Sequence, residues 1–419
     1  MDALSYILFV FIGIGFGILT GLTPGFHVNN VALIAIYLSL ITSLDPFLLV
    51  NMLVATMITH TFVDFIPSTF LGAPNEDTSL SVLPMHRLLL KGEGYRAIYI
   101  SSYASLLAVL FSLPLLPIFQ IMLISLNLKE ALESLTPIIL FSIILGMFYM
   151  ESRKGLKKML YAILIFALSG AFGYLTFNFP LNGNILLFPG NYSLLFPVFT
   201  GLFGIPVLLL SQNVIIPPQN LERGRVKRRD YISSLIGTLS GSMVGFLPGV
   251  SSGVAAVLSR LVIKEDDGEN FLFALGSVNT ANYIFNLAAL YILLKPRSGA
   301  VNSISQIYTV DRWYSLILIP QSFILILITV VISSILAFFI TLQIGKIFAV
   351  NIEKLGRRYG HLSLSLIGII LLFVFLFTGT WGIVFVILAT LIGVLPPKLG
   401  IMRTHLMGVI ILPVLFFYL

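Results

Sequence analysis

Apolar residues run along this chain in long continuous blocks, not in the short alternating strands of a membrane barrel. The blocks cover approximately 4–24, 26–44, 46–70, 96–120, 134–150, 157–178 and 187–211, then 231–247, 250–263, 270–294, 313–343, 361–378, 380–395 and 403–418. A bilayer core takes roughly 20 apolar residues per helix. The pattern therefore predicts an all-α polytopic membrane protein. About seven segments precede one polar, basic stretch, QNLERGRVKRRD at 219–230, and about seven follow it. This divides the chain into a first membrane repeat, 1–218, a linker, 219–230, and a second membrane repeat, 231–419.

The first block is interrupted where a simple membrane anchor needs no interruption. Residues 17–30 read GILTGLTPGFHVNN. The nine residues GILTGLTPG (17–25) match GSMVGFLPG (241–249), both of the form GxxxGxxPG, at an offset of 224 (241 − 17). A second match follows at an offset of 222: His60, Asp64 and Pro74 against Asn282, Asn286 and Pro296. Alone, GxxxG reads as a helix-packing motif. Duplicated in order and with Pro-Gly attached, it reads as an internal repeat.

Pro-Gly ends a helix, because proline removes a backbone donor and glycine accepts conformations other residues avoid. Broken backbone at membrane depth is tolerated only inside protein or along a cavity. A helix starting after such a break presents free N–H groups and a positive dipole end, which suits an anion. Paired breaks of this kind mark the central site of inverted-repeat transporters. The expected fold is two inverted-topology repeats whose Pro-Gly-broken helices, re-entrant or fully crossing, meet near the midplane. The expected substrate contacts are Pro24, Gly25, His27, Asn29 and Asn30 in the first repeat. In the second they are Pro248, Gly249, Ser251, Ser252 and Gly253. Ordinary N-capping by these residues stays open.

Asp64 is the one acidic residue well inside an apolar block, and His60 lies one helical turn before it. Intramembrane carboxylates are costly and mark function by default. His60 and Asp64, with their repeat counterparts Asn282 and Asn286, are the candidate coupling residues for Na+ or H+; Asn279 lies a further turn back. A structural ion pair is the alternative. The loop GAPNEDTSLS (72–81) offers Asn75, Thr78 and Ser79 as secondary anion contacts, or is a plain cytoplasmic loop in which Glu76 and Asp77 sit well. Its counterpart, KPRSGAVNS (295–303), adds Lys295 and Arg297, which either bind an anion or snorkel to the interface.

Composition narrows the class further. Of 419 residues, 58% are hydrophobic and 10% charged, against about 25% charged in soluble domains. The net charge of +7 would suggest nucleic acid in a soluble protein. Here the basic residues sit in short loops, where they set topology, and no nucleic-acid partner is expected. Arg87, Lys91 and Arg96 share one loop; Arg153, Lys154, Lys157 and Lys158 share another; five more crowd the linker. With the linker in the cytoplasm, each of these loops falls inside and both termini outside. An odd number of spans per half then makes the halves face opposite ways. There is no cysteine, which excludes thiol chemistry. No HExxH spacing and no GxxxxGK[ST] motif occurs. No metal, resident cofactor or enzyme activity is expected, and the chain lacks an ATPase of its own. The start, MDALSYILFVF, lacks a basic n-region and a cleavage site, so no signal peptide is expected. Nothing in the pattern specifies an oligomeric state.

At the paired GxxxGxxPG blocks, and at GAPNEDTSLSVLPMHRLLLKGEGYRA (72–97), the chain resembles the TctA family, the large membrane subunits of tripartite tricarboxylate transporters. The resemblance implies a cation-coupled secondary transporter in the cytoplasmic membrane, moving an organic carboxylate. It also implies a small membrane subunit and an extracytoplasmic binding protein as partners. The chain is shorter than typical members and in this is similar to the family's short archaeal relatives. It carries PGFH where the family has PGxG, and Asn75, Glu76 and Asp77 where small residues are usual. Added carboxylates repel a polyanion such as citrate. A second resemblance lies in PGVSSG (248–253), which is similar to the PGxSGG block of translocases for polyprenyl-phosphate lipid carriers. That reading replaces the soluble anion by a lipid phosphate, held by Lys295, Arg297 or Arg260.

Overall fold

The centre of the molecule is helix α3 (Pro46–Val63), continued beyond Asp64 by α4 (Phe65–Phe70). Asp45 starts it: its carboxylate accepts the Phe47 N–H at 2.9 Å, and Pro46 takes the first helical position, where a missing N–H costs nothing. The computed structural model describes residues 2–23, 27–72, 74, 77–126, 129–180, 194–210, 216–247, 250–263, 268–355 and 359–418. Every regular element among them is helical. Seven helical stretches are long and apolar enough to cross a membrane: Ala3–Leu22, Pro46–Phe70, Gly94–Ser125, Ser134–Ser152, Leu156–Asn178, Gln321–Ile352 and Ser363–Leu399. In Pro46–Phe70 the apolar stretch is 94% buried inside protein, against 33–44% in the other six. Protein rather than lipid surrounds it, which is the condition for carrying polar side chains. The counterpart in the second half is α13 (Gly268–Leu293), buried at every residue from Asn270 to Leu293.

Two glycine-ridged helices pack on this pair. Helix α1 (Ala3–Leu22) sets Gly13, Gly17 and Gly21 against α3, where added Cβ atoms would meet Met52, Thr59 and Val63 in turn. Helix α11 (Arg228–Gly245) sets Gly237, Gly241 and Gly245 against α13, where they would meet Ala274, Val278 and Phe285. The glycines are related by 224 (237 − 13). Met52 and Val63 map onto Ala274 and Phe285 by 222 (274 − 52). The offsets that align the two sequence blocks thus also align the contacts. Small residues let the backbones approach closely, and the opposite face of α1 carries exposed Leu4, Ile7, Leu8 and Phe11.

After each glycine-ridged helix the chain breaks and a short helix follows: α2 (Val28–Ile41) and α12 (Ser252–Val262). At 14 and 11 residues they rise about 21 and 16 Å, short of a bilayer core of about 30 Å. Neither described helix is long enough to cross alone.

The long helices exchange partners across the linker. Helix α6 (Gly94–Gln120), from before it, lies on α13: Ser105 donates to the Gly276 carbonyl at 3.2 Å and Ser277 to the Ala104 carbonyl at 2.9 Å. Helix α15 (Gln321–Leu355), from after it, lies on α3: Thr329 donates to Asn51 Oδ1 at 2.7 Å. Helices α5 (Val82–Leu90) and α14 (Gly299–Ile307) close the two ends of the central pair.

The periphery departs from the hydropathy blocks. Helices α7 (Lys129–Ser152) and α8 (Leu156–Asn178) match theirs. The block 187–211 becomes α9 (Leu195–Phe199), a π turn (Thr200–Gly204) and α10 (Ile205–Leu210); 187–193 lie outside the described residues. Helix α15 starts at Gln321, not 313, because Pro320 sets its boundary, and it runs on to Leu355. The blocks 361–378 and 380–395 match the two helical stretches of α16 (Tyr359–Gly393), which meet at the non-helical backbone of Gly379 (φ 65°, ψ −159°). Helix α17 (Leu395–Leu399), a 3-10 turn (Arg403–Met407) and α18 (Gly408–Tyr418) end the chain against α8.

Candidate functional site

The Pro-Gly tips themselves, Pro24, Gly25, Pro248 and Gly249, lie outside the described residues, as do Asn75 and Glu76. The residues flanking them come together around the middle of α3. His27 caps α2: its Nδ1 accepts the Asn29 N–H at 3.3 Å, and its carbonyl accepts the Asn30 N–H at 2.9 Å. The His27 ring meets the His60 ring edge-on at a centroid distance of 5.2 Å. His60 and Asp64 are fully buried on one face of α3, with Nε2 to Oδ2 at 3.9 Å. Thr20 of α1 pairs with His60 Nδ1 at 3.0 Å and lies 3.2 Å from the Gly17 carbonyl.

The second half reaches the same place through α13. Asn279 donates to Asp64 Oδ2 at 3.0 Å, and one turn of α3 earlier Thr61 pairs with Thr280 at 3.0 Å. Asp64 Oδ1 and Asn279 Oδ1 are buried with no hydrogen-bond partner. A buried carboxylate oxygen without a partner is costly unless the site exists to bind something there. Asn282 and Asn286, the residues that align with His60 and Asp64, do not join this group. Asn286 donates to the Asn282 carbonyl at 2.9 Å, a bond within its own helix. The residue that reaches Asp64 is Asn279, seven residues (286 − 279) or about two turns before Asn286 on α13.

The loop at 77–81 is the third component. Asp77, which only the plain-loop alternative accounted for, receives the Ser252 hydroxyl on Oδ1 and the Tyr283 hydroxyl on Oδ2, the latter at 3.3 Å. It acts electrostatically on both His27 and Asp64. Thr78 accepts from Ser68 of α4 at 2.9 Å, and Ser79 lies against Met407. Ser251 caps α12 by position, without a side-chain cap bond, and Gly253 in its first turn is covered by Met407. Asn29 lies against Gly299, and Arg297 stands two residues ahead of that glycine, beside Ser298, which caps α14. Thr20, Asp77 and Tyr283 are the site residues that sequence reasoning passed over. Tyr283 had a signal: it follows Asn282 in a helix rich in polar side chains. Thr20 had none beyond its place between two ridge glycines.

On the far side of this loop opens a cavity of about 910 Å³. Arg87, Lys91, Lys154, Arg260 and Arg403 line it, with Glu93 and Glu269 as its acids. Glu269 is taken by Arg96 at 2.8 Å. Arg260 lies over the Phe271 ring at 4.8 Å. The cavity wall includes Ser79 but none of His27, His60, Asp64 or Asn279. It is a basic vestibule, separated from the buried cluster by the Asp77–Ser81 turn. Among the described residues no group of three or more His, Cys, Asp or Glu is placed to hold a metal ion.

A family model for the tripartite tricarboxylate transporter TctA family matches residues 7–408. An uncharacterized protein of Methanocaldococcus jannaschii is 29% identical over 423 aligned positions, covering 99% of both chains. No solved structure matches the chain.

Proposed function

Because the chain belongs to the tripartite tricarboxylate transporter TctA family, we propose that it moves a small organic anion, a carboxylate, across the cytoplasmic membrane by cation-coupled alternating access. The observation that carries this reading is Asp64: fully buried on the most enclosed span, with one oxygen bound to Asn279 and the other without a partner. A proton or Na+ arriving there neutralises a carboxylate that the membrane interior otherwise penalises. A proton there would be carried by Asp64, with His60 Nε2 3.9 Å from Oδ2. The substrate anion binds beside it at the start of α2, where backbone N–H groups, His27 and Asn29 are available, and faces Ser251 and Ser252 at the start of α12, where Ser252 is held by Asp77.

We read the two glycine-ridged halves as an inverted repeat, with one half rocking against the other about this site. The basic vestibule then serves as the cytoplasmic mouth. A small membrane subunit and an extracytoplasmic binding protein are the partners this reading carries with it.

The test is thermal stabilisation of the purified chain by carboxylates, with and without Na+ and across pH. A ligand that binds only the folded state raises its melting temperature by mass action. We expect a shift that depends on Na+ or pH, and a dependence that disappears in Asp64→Asn. That variant keeps its shape and should melt no lower than wild type, because it removes an uncompensated buried charge. A cation dependence unchanged in Asp64→Asn defeats the coupling role. Stabilisation by short-chain polyprenyl phosphates alone replaces the whole reading by lipid-carrier translocation.

A further inference from the structure

Asp77 occupies an unusual position for a loop carboxylate. It is half-buried, and its two oxygens receive Ser252, the first residue of α12, and Tyr283 of α13. The residue that caps α12 by position, Ser251, contributes no cap hydrogen bond, and its Oγ is buried without a partner. The negative group at the start of α12 is therefore the Asp77 carboxylate, at the end of the helix where N–H groups and dipole favour an anion.

The repeat makes this contact twice, reciprocally, and charges it once. The 222-residue offset carries Asp77 to Gly299 (299 − 77). Gly299 lies against Asn29 in the first turn of α2, where a Cβ on it would stand 3.0 Å from Asn29 Oδ1. Each half thus lays its loop on the broken helix of the other. At α12 the loop supplies a carboxylate; at α2 it supplies no side chain at all. Beside them lie Asp64 and the unpartnered Oδ1 atoms of Asp64 and Asn279.

We propose that Asp77 is a built-in carboxylate that takes the anion position at α12, so that the site selects substrates bearing one carboxylate, held at the α2 end, over di- and tricarboxylates. This rests on the transport reading given above. A second substrate carboxylate directed at α12 would meet Asp77 at close range, with Asp64 near by. Like charges at that separation cost about ten- to a thousandfold in an equilibrium. A purely structural cap predicts no such selectivity, because asparagine caps a helix as well as aspartate does.

The experiment uses the purified full chain and three probes of related skeleton: butyrate, succinate and tricarballylate. The wild type should be stabilised by butyrate at concentrations at least about tenfold below those needed for succinate. Asp77→Asn keeps an acceptor for Ser252 and removes the charge; Asp77→Ser does the same with a different cap. In either variant the preference for butyrate over succinate should fall by at least about tenfold. A wild type that favours succinate or tricarballylate overturns the assignment while leaving the transport reading intact, and needs no variant to do so. Folded variants that keep the wild-type order of probes also overturn it. If no carboxylate stabilises any form, the transport reading falls first and takes this inference with it.

Discussion

Asp64 and His86 are both buried ionisable residues on the first half of the chain, and they differ in what surrounds them. Asp64 lies among groups from four helices and a loop, and one of its oxygens is unsatisfied. His86, on the short helix α5 outside the spans, is walled in by packing, and burial holds its imidazole down to about 4. A histidine with a depressed folded pKa stabilises the protein fully above its unfolded value of about 6.5, and that contribution is lost as pH falls towards 4. The total is about 3 kcal/mol. The melting temperature of the detergent-solubilised chain should therefore fall between pH 7 and 4. His86→Asn should flatten that decline, and an unchanged slope would remove His86 as its source. At this scale the sequence was partly legible. Asp64 announced itself by being a charge in an apolar block, and His60 by its spacing. Asp77 did not, because an acid in a polar loop looks solvated until the fold turns that loop back onto α12. Asn279 is legible only once the contact between α3 and α13 is known, since alignment of the repeat points to Asn286 instead.

The glycine ridges are the element-scale feature that the sequence marked most clearly. Recurrence of GxxxG at both blocks placed Gly17, Gly21, Gly241 and Gly245, and the structure adds Gly13 and Gly237 one turn earlier in the same register. A Cβ at Gly241 would stand 2.6 Å from the Val278 carbonyl, and one at Gly17 2.9 Å from the Thr56 carbonyl. Gly15, on the other face of α1, has nothing within 4 Å. Gly17→Ala and Gly241→Ala should each cost about 1–3 kcal/mol by forcing the helices apart. Gly15→Ala should be neutral or gain about 0.5–1 kcal/mol, since alanine is the better helix former. Equal melting temperatures for all three variants would show that the ridges are not packed as described. Hydropathy fared unevenly where helices bend or stop. It did find the kink in α16, dividing the blocks at Gly379, whose positive-φ, non-helical backbone separates two helical stretches. It merged α9, the π turn and α10 into one block, because apolarity says where lipid or core is, not where backbone hydrogen bonds shift.

At the scale of the whole molecule, charge is sorted as well as sequence. Three cations of the basic loops, Arg87, Lys91 and Lys154, join Arg260 of α12 and Arg403 to line a single vestibule whose acids are fewer and partly taken. Field lines converge in such a cleft and raise the local concentration of anions. Reversing two exposed members, Arg87→Glu with Lys91→Glu, should slow anion entry or release from that side by about tenfold at low ionic strength. The deficit should shrink as salt rises, since the Debye length falls to about 8 Å at physiological ionic strength. A deficit that does not respond to salt would mean that the two residues act by contact rather than by field. The exchange of partners across the linker has a different consequence, in the order of manufacture. Asp64 and Asn279 are 215 residues apart, and α15, which covers α3, is made later still. A ribosome adding about 5–20 residues per second needs roughly 10–40 s to supply Asn279 after Asp64 has emerged. For that interval α3 carries its histidine and carboxylate into the membrane with half its wall unbuilt. The first half cannot simply be released into lipid as it is made; the insertion machinery must shelter it until the second half arrives.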